Sequence, residues 1–171
     1  MRALSAAAVL TLALTLSACG GDDEGGTKLA EKVLESQDGV KDVDIDDDSY
    51  TVETDEGTIS AGSGTEIPDG FPEDVPLPSS DYTIASAVEQ GEEIALMLTA
   101  TDGFDFDAEK ASMESELTDA GYSIDEQSRT SASGMEMFSI IASADGLQVS
   151  ITAVGDGEEI NLMYAVSPSA S

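Results

Sequence analysis

Asp42, Asp44, Asp46 and Asp48 recur at every second position in "DVDIDDDSYTVE", and Glu53 closes the same stretch. A twelve-residue calcium loop takes oxygen ligands at its positions 1, 3, 5 and 7 and a bidentate glutamate at position 12, so these five residues form the candidate calcium set. Three features oppose it. The sixth position is Asp47 where the sharp turn needs glycine, the eighth is Ser49 where an apolar residue is usual, and "YTVETDEGTIS" follows where a helix would be needed. The competing reading is a strand in which Val43 and Ile45 alternate with acids and Asp46 to Ser49 make its turn. Catalytic constellations are scarcer. The chain has no histidine, which removes Ser-His-Asp and Cys-His machinery and the usual zinc sites. It has no Gly-x-Ser-x-Gly elbow, phosphate-binding glycine loop or Ser-x-x-Lys. Paired carboxylates are too abundant to be informative, and no tryptophan supplies a sugar-stacking platform. The expectation is a protein that is not an enzyme, with a carboxylate-based hydrolase as an alternative.

The remaining reactive side chain is Cys19, the chain's only cysteine. It closes "MRALSAAAVLTLALTL", which has one positive charge at Arg2 and then small and apolar residues from Ala6 to Leu16. A bilayer-spanning helix needs about 20 apolar residues and a secretory signal core about 7 to 15, so the segment reads as a signal. Leu16, Ser17, Ala18 and Cys19 resemble, position for position, the lipobox of bacterial lipoproteins. The resemblance implies diacylglycerol on the Cys19 sulfur, cleavage before Cys19 and often acylation of the new N-terminus. Each buried methylene contributes about 0.8 kcal/mol, and two or more chains anchor a protein durably where one does so only marginally. "GGDDEGGT" follows and could not bury a free thiol, and without a second cysteine no disulfide can form within the chain.

Six basic against 36 acidic residues give a net charge of -30. Nucleic acid, anionic headgroups and polyanionic wall polymers are excluded as partners, because binding phosphates requires clustered Lys or Arg. Adaptation to salt and colloidal solubility explain acidity spread along a whole chain, and cation binding is the sharper alternative. With 40% apolar residues the chain can build a core despite this charge.

Residues 1–18 are read as signal peptide and 19–27 as a flexible acidic tether. Residues 28–64 are read as a unit of one short amphipathic helix, with Leu29, Val33 and Ser36 on one face, and a three-stranded meander over Val40–Ile45, Tyr50–Thr54 and Thr58–Ala61. Pro68, Pro72, Pro76 and Pro78 make 65–80 an extended connector, docked because Phe71, Val75 and Leu77 are interleaved with the prolines. Residues 81–167 follow as a second domain and 168–171 as a disordered tail. In that domain strands are predicted at Tyr82–Glu89 and Glu93–Thr101, then a helix with Asp107 as N-cap, a buried stripe of Met113, Leu117 and Ala120, and Gly121 as its stop. Four more strands are predicted at Tyr122–Gln127, Met135–Ser143, Leu147–Val154 and Glu158–Val166. The fold class expected is α+β: an antiparallel sheet with a helix across one face, preceded by the small helix-plus-meander unit. "IALML" and "MFSII" are apolar on both sides, which predicts central strands and a cover for a second face including Ala95, Met97, Phe138, Ile140 and Met163. The expected cover is the N-terminal helix and proline segment; the alternative is an open apolar groove for a lipid, peptide or partner.

Two further stretches, "DVDIDDDSYTVETDEGTIS" and the Pro-x-x-Phe-Pro-x-Asp-Val-Pro segment within "IPDGFPEDVPLP", resemble small lipoproteins of Gram-positive bacteria, actinobacteria especially. That resemblance covers the chain to about residue 80 and implies location without an activity. The functional expectation is a lipid-anchored protein on the extracytoplasmic face of the cell membrane, acting as a non-catalytic binding or scaffolding module. Its partners would be the membrane through the anchor and an unspecified protein or small apolar ligand. No cofactor is expected beyond the covalent lipid. A calcium-responsive surface module using residues 42–53 is the alternative.

Overall fold

A computed structural model describes residues 31–46, 48–100, 103–156 and 159–169. Side chains that alternate in polarity, punctuated by Gly- and Asp-rich turns, produce nine strands: β1 (Val40–Ile45), β2 (Ser49–Thr54), β3 (Gly57–Gly62), β4 (Tyr82–Gln90), β5 (Glu93–Ala100), β6 (Ser123–Ala132), β7 (Met135–Ala144), β8 (Leu147–Gly155) and β9 (Ile160–Pro168). A short helix α1 spans 31–35, and α2 (Phe106–Asp119) lies between β5 and β6.

All nine strands join one antiparallel sheet in the order β1-β2-β3-β4-β5-β9-β8-β7-β6. The predicted α+β class is therefore wrong: the fold is mainly β, and the meander is no separate unit, because β3 pairs with β4 from Gly57 opposite Gln90 to Ala61 opposite Ser86. Nor does a helix lie across the sheet. α2 carries the chain from central β5 to the far edge, where it packs on β7 and β6, and the meander β6–β9 then returns to β5.

The core forms on one face of this sheet. Leu96 and Leu98 of β5, Leu162 and Tyr164 of β9, Ile151 of β8, and Phe138 and Ile140 of β7 all lie in it, each 2% exposed or less. Two elements roof that face. One is α2, which contributes Phe106, Met113 and Leu117. The other is the proline segment, held in turns by Phe71 N–H to the Pro68 carbonyl (2.9 Å) and Val75 N–H to the Pro72 carbonyl (3.2 Å). Phe71 meets the Tyr164 ring edge-on at 6.1 Å between centroids, within the range in which aromatic pairs attract beyond their buried area.

The two roofing elements are tied together by Glu109, the only buried charged side chain among the described residues. Its carboxylate accepts from Ser79 N–H (3.1 Å), Ser79 Oγ (2.6 Å) and Ser80 N–H (3.1 Å), so the end of the proline segment is bonded to the first turn of the helix. The helix begins two residues earlier than predicted. Asp105, not Asp107, is the N-cap and accepts from the N–H groups of Asp107 and Ala108, both at 3.0 Å. This puts Phe106 inside the helix, and the buried stripe becomes Phe106, Glu109, Met113 and Leu117, with Ala120 exposed. Gly121 ends the helix at φ +96°, with Gly121 N–H bonded to the Thr118 carbonyl and Tyr122 N–H to that of Leu117. Arg129 of β6 completes the corner: it binds Glu136 (2.6 Å) and Asp107 (2.9 Å), and its guanidinium lies 5.1 Å from the centre of the Phe106 ring.

Candidate functional site

Strand pairing assigns every side chain to a face. Met97 is paired with Ser86 on one side and Met163 on the other, and Met163 is paired in turn with Thr152. The adjacent row runs Val88, Ala95, Ala165, Ser150 and Ile141, and the next Thr99, Asn161, Val154 and Met137. These rows cover the face opposite the core. Charged residues make up 25% of the chain, yet these rows carry none between β4 and β7; the nearest on the same face are Glu126, opposite Ile141 on edge strand β6, and Glu93 at the start of β5. Neither the proline segment nor α2 reaches this face: Met163 is 47% and Met97 38% exposed, and Met135 and Met137 are exposed farther out on β7. Side chains of β4, β5, β8 and β9 line a shallow apolar depression of about 380 Å³ around Met97 and Met163.

The expected cover is corrected in two respects. The proline segment roofs the core face, and Phe138 and Ile140 belong to that same face, whereas Ala95, Met97 and Met163 stand on the other and are exposed. Adjacent residues of a strand point to opposite sides, and the register places Ser139, not Phe138, in the row of Met163.

On the core face the sheet changes character toward β1. The row Ile140, Ile151, Tyr164, Leu96 continues through Ala87 to Ser60 and Thr51, and the row Val149, Val166, Ile94 continues through Glu89 to Thr58 and Glu53. Here the segment leaving β3 stands as a wall instead of closing down as a roof. It starts at Gly62, whose φ is +98° and where a Cβ would come within 2.0 Å of the Asp48 carbonyl oxygen, so only glycine fits. Between strands and wall lies an open groove of about 400 Å³, with Ser49, Thr51, Thr58 and Ser60 on its floor and Ser63, Thr65 and Glu66 along its wall. Thr51 and Ser60 are hydroxyl to hydroxyl at 3.2 Å. Glu89 is half-buried where the apolar floor gives way to the hydroxyl one, and it has no hydrogen-bond or ion-pair partner among the described residues.

Of the residues singled out from sequence, Leu16, Ser17, Ala18 and Cys19 lie outside the described residues. Asp42 and Asp44 stand on β1 and Glu53 on β2, all on the groove side of the sheet, with Asp42 opposite Glu53 and Asp44 opposite Thr51. Asp46 and Asp48 belong to the hairpin between them, where Asp46 N–H bonds to the Ser49 carbonyl at 2.9 Å. The set is thus extended along a hairpin, and among the described residues no group of three or more acidic side chains is placed to hold a metal ion. Among them also, no helix is long and apolar enough to cross a membrane. The groove hydroxyls and Glu89 were not anticipated, although Thr58, Ser60 and Gly62 alternate with Ile59 and Ala61 at the period that marks one strand face. Comparison with known proteins gives no matching family model and no matching curated protein.

Proposed function

We propose that this chain is a lipid-anchored, non-catalytic binding module on the extracytoplasmic face of the cell membrane. It engages an uncharged apolar surface of a neighbouring membrane-associated protein through the sheet face bearing Met97 and Met163. The observation that carries this reading is the centre of that face: rows of Met, Ala, Val, Ser and Thr around the exposed Met97 and Met163, without charge from β4 to β7 in a chain of net charge -30. Contiguous exposed apolar surface marks interaction sites, and methionine side chains adapt to varied partners. Elsewhere the acidity repels anionic headgroups and polyanions, which leaves a neutral protein surface as the complementary occupant. The anchor is supported by Leu16, Ser17, Ala18 and Cys19, and the absence of catalysis by the lack of histidine and of any nucleophile motif.

A photocrosslinking residue at position 163 of the anchored chain, activated in intact cells, tests this. The reading predicts one discrete adduct that is absent when the probe stands at position 125 on edge strand β6 and is lost on adding Met97→Asp. An adduct of twice the chain's mass would make the neighbour a second copy. The same adducts from both positions, or none from 163, would refute the docking face.

A further inference from the structure

The groove on the core face is independent of that docking surface and differs from it in chemistry. Its floor is the continuation of rows that are Ile, Val, Leu and Tyr from β7 to β5, so burial alone would favour more apolar residues and a roof. Instead β2 and β3 supply Thr51, Thr58 and Ser60, and the chain leaving β3 walls the space without closing it. Hydroxyls both donate and accept, whereas a carboxylate at neutral pH only accepts. The groups charged at neutral pH that line the groove are the carboxylates Glu66 and Glu89, with no lysine or arginine. Glu89 is the more informative. A half-buried carboxylate gains most from a charge-assisted hydrogen bond, and it has no partner among the described residues. A volume of about 400 Å³ is within the range of small-molecule sites.

We infer that this groove binds a small polyhydroxylated organic cation of the amino-sugar class, with its ammonium on Glu89 and its hydroxyls along Thr51, Thr58 and Ser60. Three donors on an ammonium match an acceptor-only carboxylate, and a ring of hydroxyls can exchange donor and acceptor roles with the Ser/Thr ladder. The surrounding negative charge raises the local concentration of any cation, so specificity must come from the ladder and from the position of Glu89.

The test uses the full chain in neutral detergent at 0.15 M salt, titrated with protonated glucosamine and followed by backbone amide shifts. Shifts should be confined to β2, β3 and residues 63–68. Glu89→Gln should weaken binding at least tenfold, while Asp125→Asn on the exposed edge strand leaves it unchanged. Glucose, which lacks the ammonium, should bind at least tenfold more weakly, and the double variant Thr51→Val, Ser60→Ala should weaken glucosamine severalfold. Because Glu89→Gln removes an unpaired half-buried charge, its melting temperature should not fall, which separates lost binding from lost folding. Shifts spread over the acidic surface, equal losses from Glu89→Gln and Asp125→Asn, equal binding of glucose, or no binding at tens of millimolar glucosamine would each overturn the assignment.

Discussion

Tyr164 stands at the centre of the molecule and carries an uncompensated cost. Its ring is buried against Phe71, but its hydroxyl is enclosed without a hydrogen-bond partner among the described residues. Burial first, and then the negative charge of Glu109, raises its ionisation well above the ordinary tyrosine range. Tyr122 is raised in the same direction by burial and by Asp74, to whose carboxylate its hydroxyl donates at 3.4 Å. Removing an unpaired buried hydroxyl relieves its desolvation, so Tyr164→Phe should stabilise the protein by about 1 kcal/mol in urea unfolding. A loss of stability would mean that the hydroxyl is satisfied. The pH dependence follows from the same burial. A proton held more tightly in the folded than in the unfolded state gives stability that is complete below the unfolded tyrosine pKa of about 10 and is lost as pH rises beyond it. Absorbance at the phenolate band should therefore show part of the four tyrosines ionising only as the fold is lost above that pH. Complete ionisation while the fold persists would contradict the burial of Tyr122 and Tyr164.

Glu109 and the segment it holds decide how the elements assemble. The proline segment roofs β5 and β9 with Ser79 and Ser80 bonded to a carboxylate on the first turn of α2, which is itself packed on β7 and β6. Glu109→Ala leaves three donors near the core without their acceptor and should cost on the order of 3 kcal/mol. Proteolysis between residues 65 and 80 should accelerate with it. A variant as stable and as resistant as the parent would show that the roof is held by Phe71 and Val75 alone. The strands themselves were legible: β1 begins and ends where the alternation of Val43 and Ile45 with acids puts it, and β8 follows the alternation of Val149, Ile151 and Ala153. The helix cap was not, because "DFD" offers two aspartates at either side of Phe106, and only the packing of that ring beneath Arg129 and against Phe138 selects Asp105. The proline segment read as a boundary between domains for a physical reason too. Prolines disfavour central-strand pairing at their own positions but do not tell whether the strands before and after them pair with each other.

For the molecule as a whole, the hidden information was the insertion of β9 beside β5. Alternation assigns faces within one strand, but which faces coincide across strands depends on a pairing between residues far apart in sequence, such as Met97 with Met163. The open apolar face emerges from that pairing, and the hydroxyl groove from the pairing of β3 with β4 across the proline segment. Charge, by contrast, was legible at once. A surplus of thirty negative charges opposes compactness, and three of the four described basic groups, Lys41, Lys110 and Arg129, are already engaged with carboxylates. Raising monovalent salt from 0.01 to 1 M shortens the screening length from about 30 to about 3 Å, so the melting temperature should rise steadily. Calcium should add no more than magnesium at matched ionic strength, because Asp42, Asp44 and Glu53 are spread along a hairpin. A rise specific to calcium would restore a dedicated cation site there.

The claim beneath the functional reading is that the polyanion is held at a membrane by lipid on Cys19. Intact-mass spectrometry of the chain made in a Gram-positive bacterial host tests it most directly, with Cys19→Ser alongside. The account predicts a species beginning at Cys19 and heavier than its polypeptide by a diacylglyceryl group, absent from the variant. A chain that retains residues 1–18, or one with the mass of unmodified polypeptide, would contradict it.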